Sequence, residues 1–186
     1  MIYSNLTNKK ARLDSFRPLH PDLVENLGAW FGLELTYTSN AIEGNTLTRI
    51  ETAIVVEKGI TIGGKTLVEH LEATNHMQAL AWVTDQVGRS PASLTEDDIK
   101  YIHRIILKMI RDPDAGYYRS VAVRIFGGTV VFPNPLIVPD LMRDSVSWLS
   151  HEQNLHPVEL AAEAHYRLVS IHPFVDGNGR TARLLM

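Results

Sequence analysis

The run PVELAAEAHYRLVSIHPFVDGNGRTAR, residues 157–183, reads as helix, loop, helix. Pro157 suits a first helical turn, where its missing N–H costs nothing. Val158, Ala161, Ala164, Leu168 and Ile171 then recur at helical spacing. Pro173 biases His172 out of the helical region and ends that helix. After the loop from His172 to Asn178, a second helix begins near Gly179. Gly177, Asn178 and Gly179 lead into its N-terminus, where successive backbone N–H groups and the positive dipole end favour an anion such as phosphate. Arg180 and Arg183 are i,i+3 neighbours near that end, and the dipole disfavours each cation by roughly 0.3–1 kcal/mol unless something anionic offsets it. Asp176 is the one local carboxylate, a hard oxygen ligand suited to Mg²⁺ shared with phosphates. His172 at the lip of the loop can accept a hydroxyl proton near neutral pH. The plain alternative is a helix-loop-helix carrying a surface arginine pair.

Outward from this run the chain reads as helical. From Pro21, the residues Leu23, Leu27, Trp30, Phe31, Leu33, Leu35 and Ile42 give a broad apolar face to a segment that Gly44 and Asn45 stop. Thr48 with Glu51, and Thr66 with Glu69, form capping boxes opening two further helices, the second ending at Gly88. Thr95 caps another, bearing Ile99, Ile102, Ile105, Ile106 and Met109, and one more runs from Pro139 to about His151. Between these, Val121, Val123 and Ile125 alternate with Ala122 and Arg124, and Gly127-Gly128 separates them from Thr129 to Phe132, which predicts a β-hairpin. The fold expected is all-α with one small inserted hairpin. Residues 1–18 are expected as an N-terminal arm and 19–186 as one domain. That domain reaches Met186 in apolar mid-helix without a cap, which reads as a C-terminal truncation.

Composition bounds the function. The 186 residues are 45% hydrophobic and 21% charged, with a net charge of −3. Such a chain builds one core, and its charge does not suggest nucleic-acid or membrane-surface binding. No cysteine is present, which excludes a thiol nucleophile and suits a cytoplasmic protein. Gly59 to Thr66 satisfies the G-x-x-x-x-G-K-[ST] pattern, but the strand before it that a P-loop needs is missing, so a Gly-rich turn between helices is the better reading. The eight histidines offer no zinc-ligand spacing.

Residues His172 to Arg183 match the motif H-x-F-x-[DE]-G-N-G-R-x-x-R and so resemble the Fic family of nucleotidyl transferases, in the form typical of protein AMPylation. The resemblance implies His172 as general base on a target hydroxyl, Phe174 as loop anchor and Asp176 as the Mg²⁺ ligand. Gly177, Asn178 and Gly179 would cradle phosphates that Arg180 and Arg183 grip. Val121, Val123 and Ile125 would form a flap that adds a target segment as a strand. Ser39-Asn40-Ala41-Ile42-Glu43-Gly44 resembles the family's inhibitory pattern [ST]-x-x-x-E-[GN], with Ser39 and Glu43 in the inhibitory positions. Glu43 stands at the negative end of its helix, where a carboxylate invites a cationic partner. The expected function is transfer of AMP from Mg·ATP to a Ser, Thr or Tyr hydroxyl of a protein target, the chain itself included, restrained by Glu43. The alternatives are removal of AMP, with Glu43 positioning water, or a nucleotide-sensing module with little transfer. No nucleic-acid or membrane partner is expected, and a homodimer is compatible.

Overall fold

A computed structural model describes residues 3–124, 128–152 and 154–186. Their helices run α1 (Ser4–Asp14), α2 (Pro21–Ile42), α3 (Arg49–Lys58), α4 (Leu67–Asp85), α5 (Glu96–Leu107), α6 (Val138–His151), α7 (Pro157–Ile171) and α8 (Asn178–Leu185). Local chemistry sets most boundaries. Thr48 and Thr66 form the expected capping boxes with Glu51 and Glu69, and Thr95 forms a third with Asp98. Pro21 and Pro157 open their helices, and Gly59 closes α3 in the left-handed conformation. Helix α4 stops at Asp85, short of the expected Gly88. Within the expected N-terminal arm, residues 4–14 are helical and bury no side chain.

The α7–loop–α8 unit lies at the centre, with α8 packed against α7, α5, α4 and α2. Phe174, Leu168, Ile171 and Ala182 share one apolar cluster with Ile99 of α5 and Met142 of α6. Leu184 joins Ile102, Ile106 and Leu107 of α5 in a second. Full burial of Phe174 alone stabilises the loop by about 1.5–3 kcal/mol.

Helix α2 departs from its apolar pattern. Leu23, Leu27, Trp30, Phe31 and Ile42 are exposed, whereas Gly32, Leu33, Thr36, Ser39 and Asn40 are buried. Of the expected apolar face, Leu33 is buried and Leu35 packs against the Ile102 cluster, but the rest of the packed stripe is small or polar and meets α4 through hydrogen bonds. Thr36 Oγ1 lies 3.0 Å from His76 Nδ1, and Asn40 Nδ2 donates to Glu72 O at 3.2 Å. This register places Ser39 and Glu43, one turn apart, toward α8.

Among the described residues the hairpin expected between Val121 and Phe132 is not seen, since none of them forms a β-strand. Ile125 and Gly127 lie outside the described residues. The alternation at Val121 and Val123 has no apolar surface to bury against, since Val121, Val130 and Val131 are 54%, 56% and 79% exposed. The carbonyls that would begin a ladder are taken by one side chain, with Arg119 donating to Val121 O at 3.0 Å and Pro133 O at 2.7 Å.

The loop matching the Walker pattern joins α3 to α4 with no strand before it. Lys65 Nζ donates to Thr46 O at 2.5 Å and Thr46 Oγ1 at 3.0 Å, while the Thr66 hydroxyl caps α4. Lys65→Ala should therefore leave ATP affinity within about twofold in a calorimetric titration and lower stability by at most about 1 kcal/mol. Loss of ATP binding would restore the P-loop.

Candidate active site

Helix α7 ends on His172, whose φ of 52° and ψ of 60° are left-handed rather than the extended conformation a residue before proline favours. For a side chain with a Cβ this costs roughly 1–2 kcal/mol, so the surroundings must hold it. The His172 N–H donates to Leu168 O at 2.9 Å, its carbonyl accepts from Arg119 Nε at 2.7 Å, and its ring stacks on Phe132 with centroids 4.0 Å apart.

Phe174 then turns into the core and stacks face to face on His103 of α5, centroids 3.7 Å apart. Asn178 brackets it: Phe174 N donates to Asn178 Oδ1, and Asn178 Nδ2 donates to Phe174 O, both at 2.9 Å. The Asn178 side chain is thus committed to the loop, and only its backbone N–H is left for a ligand. His103 supports the floor. Its Nδ1 accepts the Gly116 N–H at 2.9 Å, which puts its proton on Nε2, the atom that donates to Asp176 O at 2.9 Å. Gly177 has a φ of 73°, and a Cβ there would come within 3.3 Å of the His103 ring. A side chain at that position is excluded on both counts.

The two motif arginines part company. Arg180 is 2% exposed, with Nη1 donating to Glu72 Oε1 at 2.9 Å and Nη2 standing 3.6 Å from Asp176 Oδ1. It is a buried, paired charge beneath the loop rather than an exposed clamp. Arg183 reaches α2: Nε donates to Ser39 Oγ at 2.9 Å, and Nη2 donates to Ser39 O at 3.0 Å and to Glu43 Oε1 at 2.5 Å. A Cβ on Gly179 would overlap Glu43 Oε1, so a carboxylate is already seated against the glycine at the mouth of the α8 N-terminus. Asp176 Oδ1 accepts the Gly177 N–H at 2.6 Å, and its side chain remains 45% exposed. No group of three or more His, Asp or Glu side chains among the described residues could hold a metal.

Burial holds the site histidines neutral. Desolvation, with a contribution from Arg119, pushes His172 below the ordinary imidazole value, against the opposing pull of Glu43 and Asp176. His103 is lowered to about 4 by burial, despite its bond to Asp176 O. His76 falls to about 3, through burial and then the nearby Arg183 and Arg180. As pH drops from 6.5, the unfolded chain takes up protons that folded His103 and His76 refuse, so stability should fall. The loss should approach roughly 1.4 kcal/mol per pH unit per histidine, about 2.8 for the pair, with the His103 share tapering below pH 4 and the His76 share below pH 3. Glu69, held down to about 2 chiefly by the Thr46 hydroxyl, adds a loss only below its ordinary 4.5. Urea midpoints measured between pH 7 and 4.5 should show this slope, and His76→Gln should flatten it; a flat wild-type profile would contradict the neutral pair.

The residues the motif singles out converge, but their supports were not singled out. His103, on the apolar stripe of Ile99, Ile102 and Ile106, carries a sequence signal as an interrupted hydrophobic face. Glu72 and Arg119 carry none.

A buried helix-loop-helix, its loop anchored by one aromatic side chain and its second helix opening between two glycines, defines an all-helical domain built around one central loop. Residues 93–186 match the model of the Fic/DOC family. The chain belongs to the Fic/DOC family. It is 44% identical over 152 residues to a protein adenylyltransferase Fic of Nematostella vectensis, covering 81% of this chain and 35% of that one. It is 40% identical over 153 residues to protein adenylyltransferase fic-1 of Caenorhabditis elegans, covering 81% and 30%. The chain thus spans about a third of the length of these relatives. Its fold superposes on a Fic domain containing signaling protein from Bacteroides thetaiotaomicron with a TM-score of 0.86 and 34% identity, over 98% of this chain and 70% of that one. No helix of the described residues is long and apolar enough to cross a membrane.

Proposed function

We propose that the protein transfers AMP from Mg·ATP to a hydroxyl of a protein target and restrains itself through Glu43. The observation that carries this reading is the Glu43 carboxylate, lying against Gly179 and bonded to Arg183 where the α8 cradle opens. That carboxylate stands beside Gly179 at the N-terminus of α8, an end whose dipole and backbone N–H groups favour an anion, while the Gly177 N–H is already taken by Asp176 Oδ1. The adenylyltransferase names of the relatives point to the same chemistry.

In the transfer, the hydroxyl oxygen forms a bond to the α-phosphorus as the bond to the bridging α–β oxygen breaks and pyrophosphate leaves. The hydroxyl proton passes to His172. Its Nδ1 stands 3.4 Å from Val169 O, which favours the proton there and leaves the Nε2 lone pair as base. Arg183, once released, grips the terminal phosphates, and Arg180 supplies positive charge from beneath. Asp176, half-exposed and a hard oxygen donor, would hold Mg²⁺ together with the nucleotide phosphates. The metal, when bound, neutralises phosphate charge.

The carboxylate of Glu43, seated against Gly179 next to the loop, also suits a second reading, in which Glu43 positions a water that removes AMP from a modified protein. Incubation with α-labelled ATP separates the readings. Covalent label on protein supports transfer; release of AMP from a pre-modified protein with no label incorporated supports removal.

A further inference from the structure

Arg119 is 3% exposed, and among the described residues its guanidinium meets no carboxylate. Every acceptor is a backbone carbonyl. Nε donates to His172 O at 2.7 Å, Nη1 to Val121 O at 3.0 Å, and Nη2 to Pro133 O at 2.7 Å and Ile171 O at 3.4 Å. The Arg119 backbone N–H donates to Pro173 O at 2.9 Å. A buried cation without a counter-ion carries a desolvation cost that a neutral residue would avoid. What the planar fork supplies in return is geometry, since it ties the end of α7 to both ends of the 121–133 segment. It also bonds the carbonyl of a residue whose left-handed backbone needs to be held.

We infer that Arg119 is a positioning residue of this site: its guanidinium holds the loop at His172 and both ends of the 121–133 segment as one unit. The imidazole that takes the hydroxyl proton and the segment beside it, whose Phe132 ring stacks on His172, then keep a fixed relation. The inference rests on His172 being the general base, and one arm of its test does not.

The test compares Arg119→Met, which removes fork and charge at similar length, with Arg119→Lys, which keeps the charge and part of the bonding. Both are built with Glu43→Gly, and circular dichroism checks the fold. In Arg119→Met, kcat should fall about 10- to 100-fold, the scale of a small misplacement of reacting groups, while the Kd for ATP stays within about twofold. Arg119→Lys should recover part of kcat. Amide hydrogen exchange without nucleotide should quicken together in residues 121–124, 128–132 and 174–178 of Arg119→Met. An unchanged kcat, or faster exchange confined to one segment, would overturn the inference. If Arg119→Met does not fold, Arg119→Lys carries both readouts with smaller effects. If the Glu43→Gly parent transfers no AMP, the proposed activity fails, and the exchange arm alone decides whether Arg119 couples the two segments.

Discussion

Replacing His172 by alanine is expected to lower AMP transfer by about 10²- to 10⁴-fold, the usual contribution of a positioned general base, while ATP affinity stays within about twofold. The separation follows from where the groups sit. On the proposed reading phosphate would be met at the N-terminus of α8 and by Arg183, whereas His172 stands at the other end of the loop, four residues before Asp176. The loop does not depend on the imidazole for its shape. Phe174 is fixed by His103 and by both bonds to Asn178, and the His172 carbonyl bonded to Arg119 survives the substitution. Burial keeps the imidazole neutral at pH 7, so the wild-type base is in its accepting form there. Transfer rates with labelled ATP, measured in the released Glu43→Gly background, and calorimetric ATP titrations test the two halves separately. Full transfer by His172→Ala would remove the base; lost ATP binding with lost transfer would make His172 a loop residue instead.

What the sequence made legible were interactions that close within a few residues. The capping boxes at Thr48 and Thr66 span three positions, and the helix-loop-helix around His172 is contiguous, so both could be located before any tertiary contact was known. The positions Ser39 and Glu43 were legible through their resemblance to the family's inhibitory pattern, and the carboxylate at the negative end of a helix adds only a local mismatch that invites some cationic partner. Long-range polar partners are harder to name. Glu72 lies 108 residues from Arg180, and although a cation in the first turn of α8 is itself a local mismatch, nothing on α4 marks Glu72 as its partner. The α2 stripe misled because its packed face is polar: Thr36, Ser39 and Asn40 bury against α4 and α8, while Trp30 and Phe31 stay exposed. Hydrophobic periodicity finds a face only when burial selects apolar residues. The hairpin reading failed similarly, because alternation at Val121 and Val123 predicts pairing only if no other donor claims the carbonyls. Arg119 claims the one at Val121.

The two motifs meet in one ion pair, and breaking it should accelerate the enzyme. Arg183 Nη2 and Glu43 Oε1 stand 2.5 Å apart, with the side chains 16% and 30% exposed, and Ser39 holds the same guanidinium through Oγ and O. Such a charge-assisted bond, partly shielded from water, retains more of its strength than a surface pair. It acts on the cradle twice: it turns Arg183 toward α2, and it seats a carboxylate against Gly179, where a phosphate would bring like charge. On the proposed reading, bound ATP would meet a cradle whose terminal-phosphate partner is occupied, and its α-phosphorus would be held out of line with the attacking hydroxyl. Glu43→Gly removes the carboxylate at the end of α2, just before Gly44, where a glycine costs the helix little. Transfer should rise tenfold or more if the pair adds roughly 1.4 kcal/mol to the barrier. Adding Arg183→Ala should cancel that gain, because the freed guanidinium is what the first substitution provides; simple additivity would instead mean that the residues act apart. Ser39→Ala, which removes one of the three bonds on Arg183 and leaves the carboxylate in place, should give a smaller rise. An unchanged rate in Glu43→Gly would return Glu43 to the status of a helix-terminal glutamate, and the salt bridge would then hold α2 to α8 without governing the chemistry between them.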